Sequence, residues 1–199
     1  MPLSLENVLA ELWALRKQDR RRDLSVYIEK LLCQNWPEDE AGSLRGELIG
    51  ELHRHNRLVE AELLLQAEIE REPREPFHSL SLAEHYHYYE VDLVVSLKHV
   101  ALAISKAKVD GKFMYQALGV QARLAIETQN WPLLEATLGS LVCYEHTPGN
   151  ADIFPETDFI PRIPAMSVAD EVLSSYVQRV EYLRSINYST VHGPCIPSK

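Results

Sequence analysis

Two pairs of histidines sit at matching spacing, His53-Arg54-His55 and His85-Tyr86-His87. Imidazole is the side chain best suited to bind metals and to move protons near neutral pH. On a helix, however, residues i and i+2 point about 200° apart, so neither pair chelates an ion from one face. Glu84 and His87, at i and i+3, do share a face. A single Glu-x-x-His falls far short of a di-iron set, which needs two such motifs and two further carboxylates. Tyr86, Tyr88 and Tyr89 make an aromatic cluster with Phe77 in the same stretch. Tyr86 reads as core. Tyr88 reads either as an exposed binding aromatic or as a residue packed under the proline-rich segment 147–165. There is no glycine-rich phosphate loop, nucleophile elbow or catalytic pairing. The expectation is a non-enzymatic protein with no cofactor and no metal. An all-α enzyme or metal-binding protein using His85, His87 and Tyr88 stays open beside it.

The charge balance narrows the partners. The chain of 199 residues carries a net charge of −9. General nucleic-acid binding needs a basic surface that displaces counterions, so it is not expected. Arg16, Lys17, Arg20, Arg21 and Arg22 form one dense basic stretch, read as the solvated end of a first helix. Cys33, Cys143 and Cys195 are too scattered for a disulfide framework or a zinc signature. Cys33 and Cys143 lie in apolar helical contexts and read as small core residues in a reducing compartment. Glu6 and Glu11 interrupt the first apolar run, so no signal peptide is expected. No stretch approaches the roughly 20 apolar residues that span a bilayer. A cytoplasmic protein without membrane contact is the expectation.

Helical periodicity positions these residues. Leu5, Val8, Leu9, Leu12 and Leu15 keep the rhythm of one apolar face, and Leu24, Tyr27, Ile28, Leu31 and Leu32 repeat it. Further helices are predicted over 40–55, 57–72, 76–89, 92–108, 112–128, 131–146 and 168–187. Short connections make consecutive helices antiparallel neighbours. Pro73 and Pro76 break the chain because proline lacks an N–H donor and its ring clashes with the preceding turn. Gln-Asn-Trp-Pro occurs at 34–37 and again at 129–132, and predicts an Asn cap with Pro in the first turn at both places. The prolines of 147–166 forbid a helix, while Ile153, Phe154, Phe159 and Ile160 predict an ordered loop packed along the body. Ser167 and Asp170 form the pattern that opens a last helix. The expected layout is a single all-helical domain over 1–187 followed by a frayed tail at 188–199.

Leu48, Leu52, Ala61 and Leu65 are echoed 34 residues later by Leu82, Tyr86, Val95 and His99. A helix-rich chain that repeats at this period resembles the tetratricopeptide repeat (TPR), whose motif reads W-x2-L-G-x2-Y, then A-x3-F, then P. The first copy offers Arg45, Leu48, Ile49, Leu52, Ala61, Leu65 and Pro73. The next offers Ser79, Leu82, Ala83, Tyr86, Val95, His99 and Ala107. A third starts two residues late with Tyr115, Leu118, Gly119 and Ala122. The motif's tryptophan is missing from all three copies, and its glycine survives only as Gly119. The resemblance covers 42–146 and implies a right-handed superhelix of antiparallel helix pairs, capped by helices at 5–34 and 167–187. In size and layout the chain is similar to three-repeat cytosolic chaperones of bacterial secretion systems.

In that family the first helix of each pair lines a concave groove. By register this implies His53 and Arg54, then Glu84, His87 and Tyr88, then Arg123 as partner-binding residues. His53, His87 and Arg123 share one register and would form a row of donors suited to an acidic or carboxylate-bearing partner segment. The plainer alternative leaves all three as solvated helix positions. Gly46 and Gly50 stand where the family's carboxylate clamp has Lys and Asn, so that activity is not implied. The two glycines could instead admit a neighbouring helix or a ligand backbone. The implied function is an adaptor or chaperone-like module holding a protein segment, with homo-oligomerisation open. A structural subunit whose groove is filled by its own 147–165 segment is the remaining alternative.

Overall fold

The computed structural model describes residues 4–19, 22–110, 113–143 and 160–191. These form nine α-helices and no strand: α1 (Leu5–Gln18), α2 (Ser25–Leu32), α3 (Glu38–Arg54), α4 (Leu58–Arg71), α5 (Pro76–Tyr88), α6 (Leu93–Asp110), α7 (Met114–Glu127), α8 (Trp131–Cys143) and α9 (Asp170–Val191). A 3-10 turn at Ile160–Arg162 precedes α9. The protein is all-α, as the periodicity predicts. None of these helices is long and apolar enough to cross a membrane.

Capping explains most of the boundaries. Ser4 accepts the Asn7 N–H at the start of α1. Asn130 accepts the Leu133 N–H at the start of α8, as its Asn-Trp-Pro sequence predicts. The twin sequence at 34–37 behaves differently. Pro37 occupies the cap of α3 with no side-chain cap bond, and the Trp36 indole N–H turns back to the Leu31 carbonyl at 2.7 Å. Asn35 therefore caps nothing, because Trp36 is recruited to the preceding helix. Ser167 likewise stands outside the first turn of α9, where the Ala169 carbonyl accepts the first helical N–H groups. The helix runs past the predicted end, to Val191.

Packing divides the chain into two compact units, 1–73 and 74–199, with the boundary at Pro73. In the first unit α3 packs on α2 and α4. Val8, Leu12, Leu24, Ile28, Leu44, Leu48, Leu52 and Ala61 form its core. In the second unit α5 packs on α6, α6 on α7, α7 on α8 and α8 on α9, while α7 also touches α5. Its main core joins Leu118, Ala122, Leu134, Leu138 and Leu141 to Val168, Tyr176, Val180 and Leu183. Each fully buried leucine contributes about 1.5–3 kcal/mol. Ile160 and Ile163 pack against this core, so the described end of the proline-rich segment does lie along the body. The rest of that segment, including Ile153, Phe154 and Phe159, lies outside the described residues, as do Cys195 and the tail from His192.

Three connections share one device. Asn56, Val91 and Gln129 each hold left-handed backbone, at φ 57°, 56° and 54°. The following N–H turns back onto the helix just ended: Arg57 to the Leu52 carbonyl at 2.8 Å, Asp92 to Tyr86 at 2.9 Å, Asn130 to Ala125 at 2.8 Å. This satisfies carbonyls that the helix ends leave open. None of the three is glycine, and a β-branched valine in this conformation is strained by about 1–2 kcal/mol. α3 and α4, and α7 and α8, are thus joined by the same turn, and α5 and α6 by a version one residue longer.

Two expectations are corrected by burial. Cys33 and Cys143 are exposed, not core, because each falls at the end of its helix, where the apolar stripe has run out. Gly46 and Gly50 admit no close neighbour: a Cβ built at either meets nothing within 4 Å.

Candidate functional site

The second unit gathers four of the residues implied by the resemblance. α5 opens with Pro76 in its first turn and the Glu75 carboxylate capping the Phe77 N–H. It buries Ser79, Leu80, Leu82, Ala83, His85 and His87. Ser81, Glu84 and Tyr88, at i, i+3 and i+7, remain as its less buried stripe. α7 keeps a matching stripe of Gln116, Gly119, Arg123 and Glu127. Two side-chain bridges join the two helices. Arg123 Nη1 donates to Tyr88 Oη at 2.7 Å. His87 Nε2 lies 2.9 Å from both oxygens of Glu127 and donates to that carboxylate. Nδ1 of His87 is buried with no hydrogen-bond partner among the described residues.

Glu84 lies among these groups without a hydrogen bond or ion pair of its own among the described residues. Burial raises its carboxyl above the usual range, and the nearby charges of Arg123 and His87 only partly offset that. The face is therefore mixed in charge. It presents a Tyr–Arg pair, a carboxyl whose pKa burial raises and the Glu127 that holds His87. Tyr88 is 52% exposed, and above Gly119 the space is open to at least 4 Å.

His53 and Arg54 lie elsewhere, in the last turn of α3 in the first unit. His85 and His87 meet different surroundings. His85 faces the Tyr86 and Tyr89 rings at 5.4 and 6.1 Å, so the pair offers no common point for a ligand. Tyr86 stacks on His99 at 5.7 Å. Phe77 leaves the predicted tyrosine cluster and packs on Phe113 at 5.3 Å, because it sits in the first turn of α5, about three turns from Tyr88.

Two carboxylates escaped the sequence reading. Glu127 stands one helical turn after Arg123, and that i+4 spacing was the available signal. The other is Glu51, fully buried in the first unit. It accepts the Leu24 N–H at 3.2 Å and the Arg16 Nε–H at 3.0 Å, and pairs with Arg54 and with His55 at 3.3 Å. Burial pushes its carboxyl up, but the Leu24 N–H and the two arginines outweigh that and hold it below the usual range. Asp23, Glu51 and His55 bring three potential metal-ligand atoms within 4.8 Å of one another. Arg16 and Arg54 already neutralise Glu51, and Arg57 lies 3.5 Å from Asp23. A metal ion would have to displace them, so the cluster reads as an ion-pair knot that ties α1 and the start of α2 to α3.

Burial at the positions of the 34-residue echo is mixed, with Tyr86, Val95 and His99 only partly buried. Leu48, Leu52, Ala61, Leu65, Ser79, Leu82, Ala83, Tyr115, Leu118 and Ala122 are buried. Arg45 takes the place of the missing tryptophan. It is buried, with Nε 2.7 Å from Glu68 and Nη2 2.7 Å from Glu38, its stem filling apolar space while the head is paired. Comparison with known protein families, with curated proteins and with solved structures gives no match. The resemblance to TPR proteins rests on the sequence register.

Proposed function

We propose that this chain is a non-enzymatic protein-interaction module, adaptor-like or chaperone-like, that holds a segment of a partner protein on the α5–α7 face. The observation that carries this reading is the Tyr88–Arg123 bond between two partly exposed helix stripes. Tyrosine and arginine are the residues most often found at the energetic centre of protein interfaces. Here each fixes the other's rotamer, so less side-chain entropy is lost on binding. The repeated left-handed turns and the skip-one contact of α5 with α7 support TPR-like stacking of the α5–α6 and α7–α8 hairpins. His87 and Arg123 are already matched by Glu127 and Tyr88, so this face suits a segment of mixed polarity better than a strongly acidic one.

Glu84 is the observation that favours a second reading, since a carboxyl raised by burial could act as a general acid. Nothing described beside it supplies a nucleophile, so binding is preferred. The test is affinity capture from native lysate with wild type, Tyr88→Ala and Arg123→Glu. A protein retained by wild type and lost from both variants, with melting unchanged, is the expected result. Equal recovery by all three would overturn the reading.

A further inference from the structure

The first unit holds a surface of opposite character to the rest of the chain. Trp13, Arg16 and Lys17, at i, i+3 and i+4 on α1, face Arg54 in the last turn of α3 across a cleft of about 430 Å³. Trp13 is 65% exposed, an unusual state for the largest apolar side chain. The Lys17 ammonium stands 5.1 Å from the centre of its ring. Of the acidic groups that face the cleft, Glu47 and Glu51 are committed to Arg16, at 2.5 and 2.9 Å, and Glu51 also to Arg54. Lys17 forms no ion pair among the described residues. Three cations thus stand against two carboxylates, a local excess of positive charge on a chain whose net charge is −9.

We infer that this cleft is a docking site for an acidic peptide segment, one that sets carboxylates against Lys17 and Arg54 and an apolar side chain on Trp13. Charge complementarity selects that occupant. A guanidinium with N–H groups to spare takes a carboxylate in forked geometry, and an exposed tryptophan supplies the apolar anchor. A nucleic acid is the poorer fit, because a long polyanion senses the repulsion of the whole acidic chain and not only this corner. The inference extends the protein-binding reading to a second surface and shares with it only the class of partner.

Fluorescence anisotropy on the full chain tests it with three labelled probes of equal length: a peptide of Glu and Leu, the same peptide with Gln for Glu, and oligothymidylate. The Glu peptide should bind at least about 10-fold more tightly than the Gln peptide. Lys17→Glu, Arg54→Gln and Trp13→Ala should each weaken it by about 10-fold, with thermal melting controlling for folding. Arg123→Glu should leave it unchanged. The proposal is overturned if the Glu and Gln peptides bind alike, if the cleft variants bind as wild type does, if oligothymidylate binds more tightly than the Glu peptide, or if Arg123→Glu abolishes binding. Failure of lysate capture by the α5–α7 face would leave these expectations standing.

Discussion

Glu51 and Glu84 are carboxylates in opposite circumstances. Glu51 is wholly buried and wholly satisfied, by one backbone N–H, two arginines and a histidine, and its acidity is increased. Glu84 is partly buried and satisfied by none of its neighbours directly, and its acidity is decreased. The first arrangement strengthens the fold; the second holds a group in a state the fold alone does not favour. Charge that a protein has finished using sits in the first unit's knot, and charge still available to a partner sits on the second unit's face.

Removing the knot should have the largest effect. Glu51→Gln keeps the shape but leaves Arg16 and Arg54 without their shared anion. A loss of about 2–4 kcal/mol follows, reduced from the fully buried case because both arginines reach solvent. Urea unfolding would measure it. The pH dependence has a definite sign. A carboxylate whose folded pKa is depressed adds stability above its unfolded value, and that stability is lost as pH falls through the folded value. Wild type should therefore lose stability on acidification below the ordinary Glu range, and Glu51→Gln should lose less over the same interval. A variant as stable as wild type at neutral pH would show that the knot is ornamental and erase the contrast with Glu84.

The helices were legible because period and length survive in a single sequence, and every predicted helix is found. Long-range polar pairing was not. Arg16 meets Glu51 across 35 positions and His87 meets Glu127 across 40, while a charge in mid-helix reads as solvated until its partner is known. The donor row named His87 and Arg123 but was silent about the Glu127 and Tyr88 that bind them. Local signals failed where a neighbour competed: Asn35 had the chemistry of a cap, but Trp36 was already bound to Leu31. The left-handed residues at the three hairpin turns carried no shared signal, since of Asn56, Val91 and Gln129 only the asparagine is of a type that favours that conformation.

A smaller effect separates the two surfaces by their glycines. Gly46 and Gly119 are both helical, and a Cβ at either meets only open space. Alanine should then stabilise each by about 1 kcal/mol, through helix propensity and a less flexible unfolded chain. For a chain of this size that raises Tm by about 2–4 °C. The consequences for binding should differ. Gly119→Ala puts a methyl group on the α5–α7 face, beside Arg123 in the same stripe, and should reduce capture of the partner. Gly46→Ala should leave capture unchanged. Equal capture by both variants would move the binding surface away from Gly119.

The smallest change in stability belongs to Glu84→Gln, and it is the most discriminating. A carboxylate whose folded pKa is raised contributes stability that is present below its unfolded pKa and lost as pH rises through the folded value. At neutral pH its charge is thus a burden, and the neutral amide should leave melting unchanged or slightly higher, with the advantage fading on acidification. Binding should move the other way. If the partner supplies a donor to the unsatisfied carboxylate, the variant should lose affinity while gaining stability, a combination that a merely structural residue does not produce. Melting curves across the acid range, paired with capture by wild type and variant, read both quantities. Should Glu84→Gln instead destabilise the fold at neutral pH as Glu51→Gln does, Glu84 would be a satisfied structural group, and the difference between the two carboxylates would disappear.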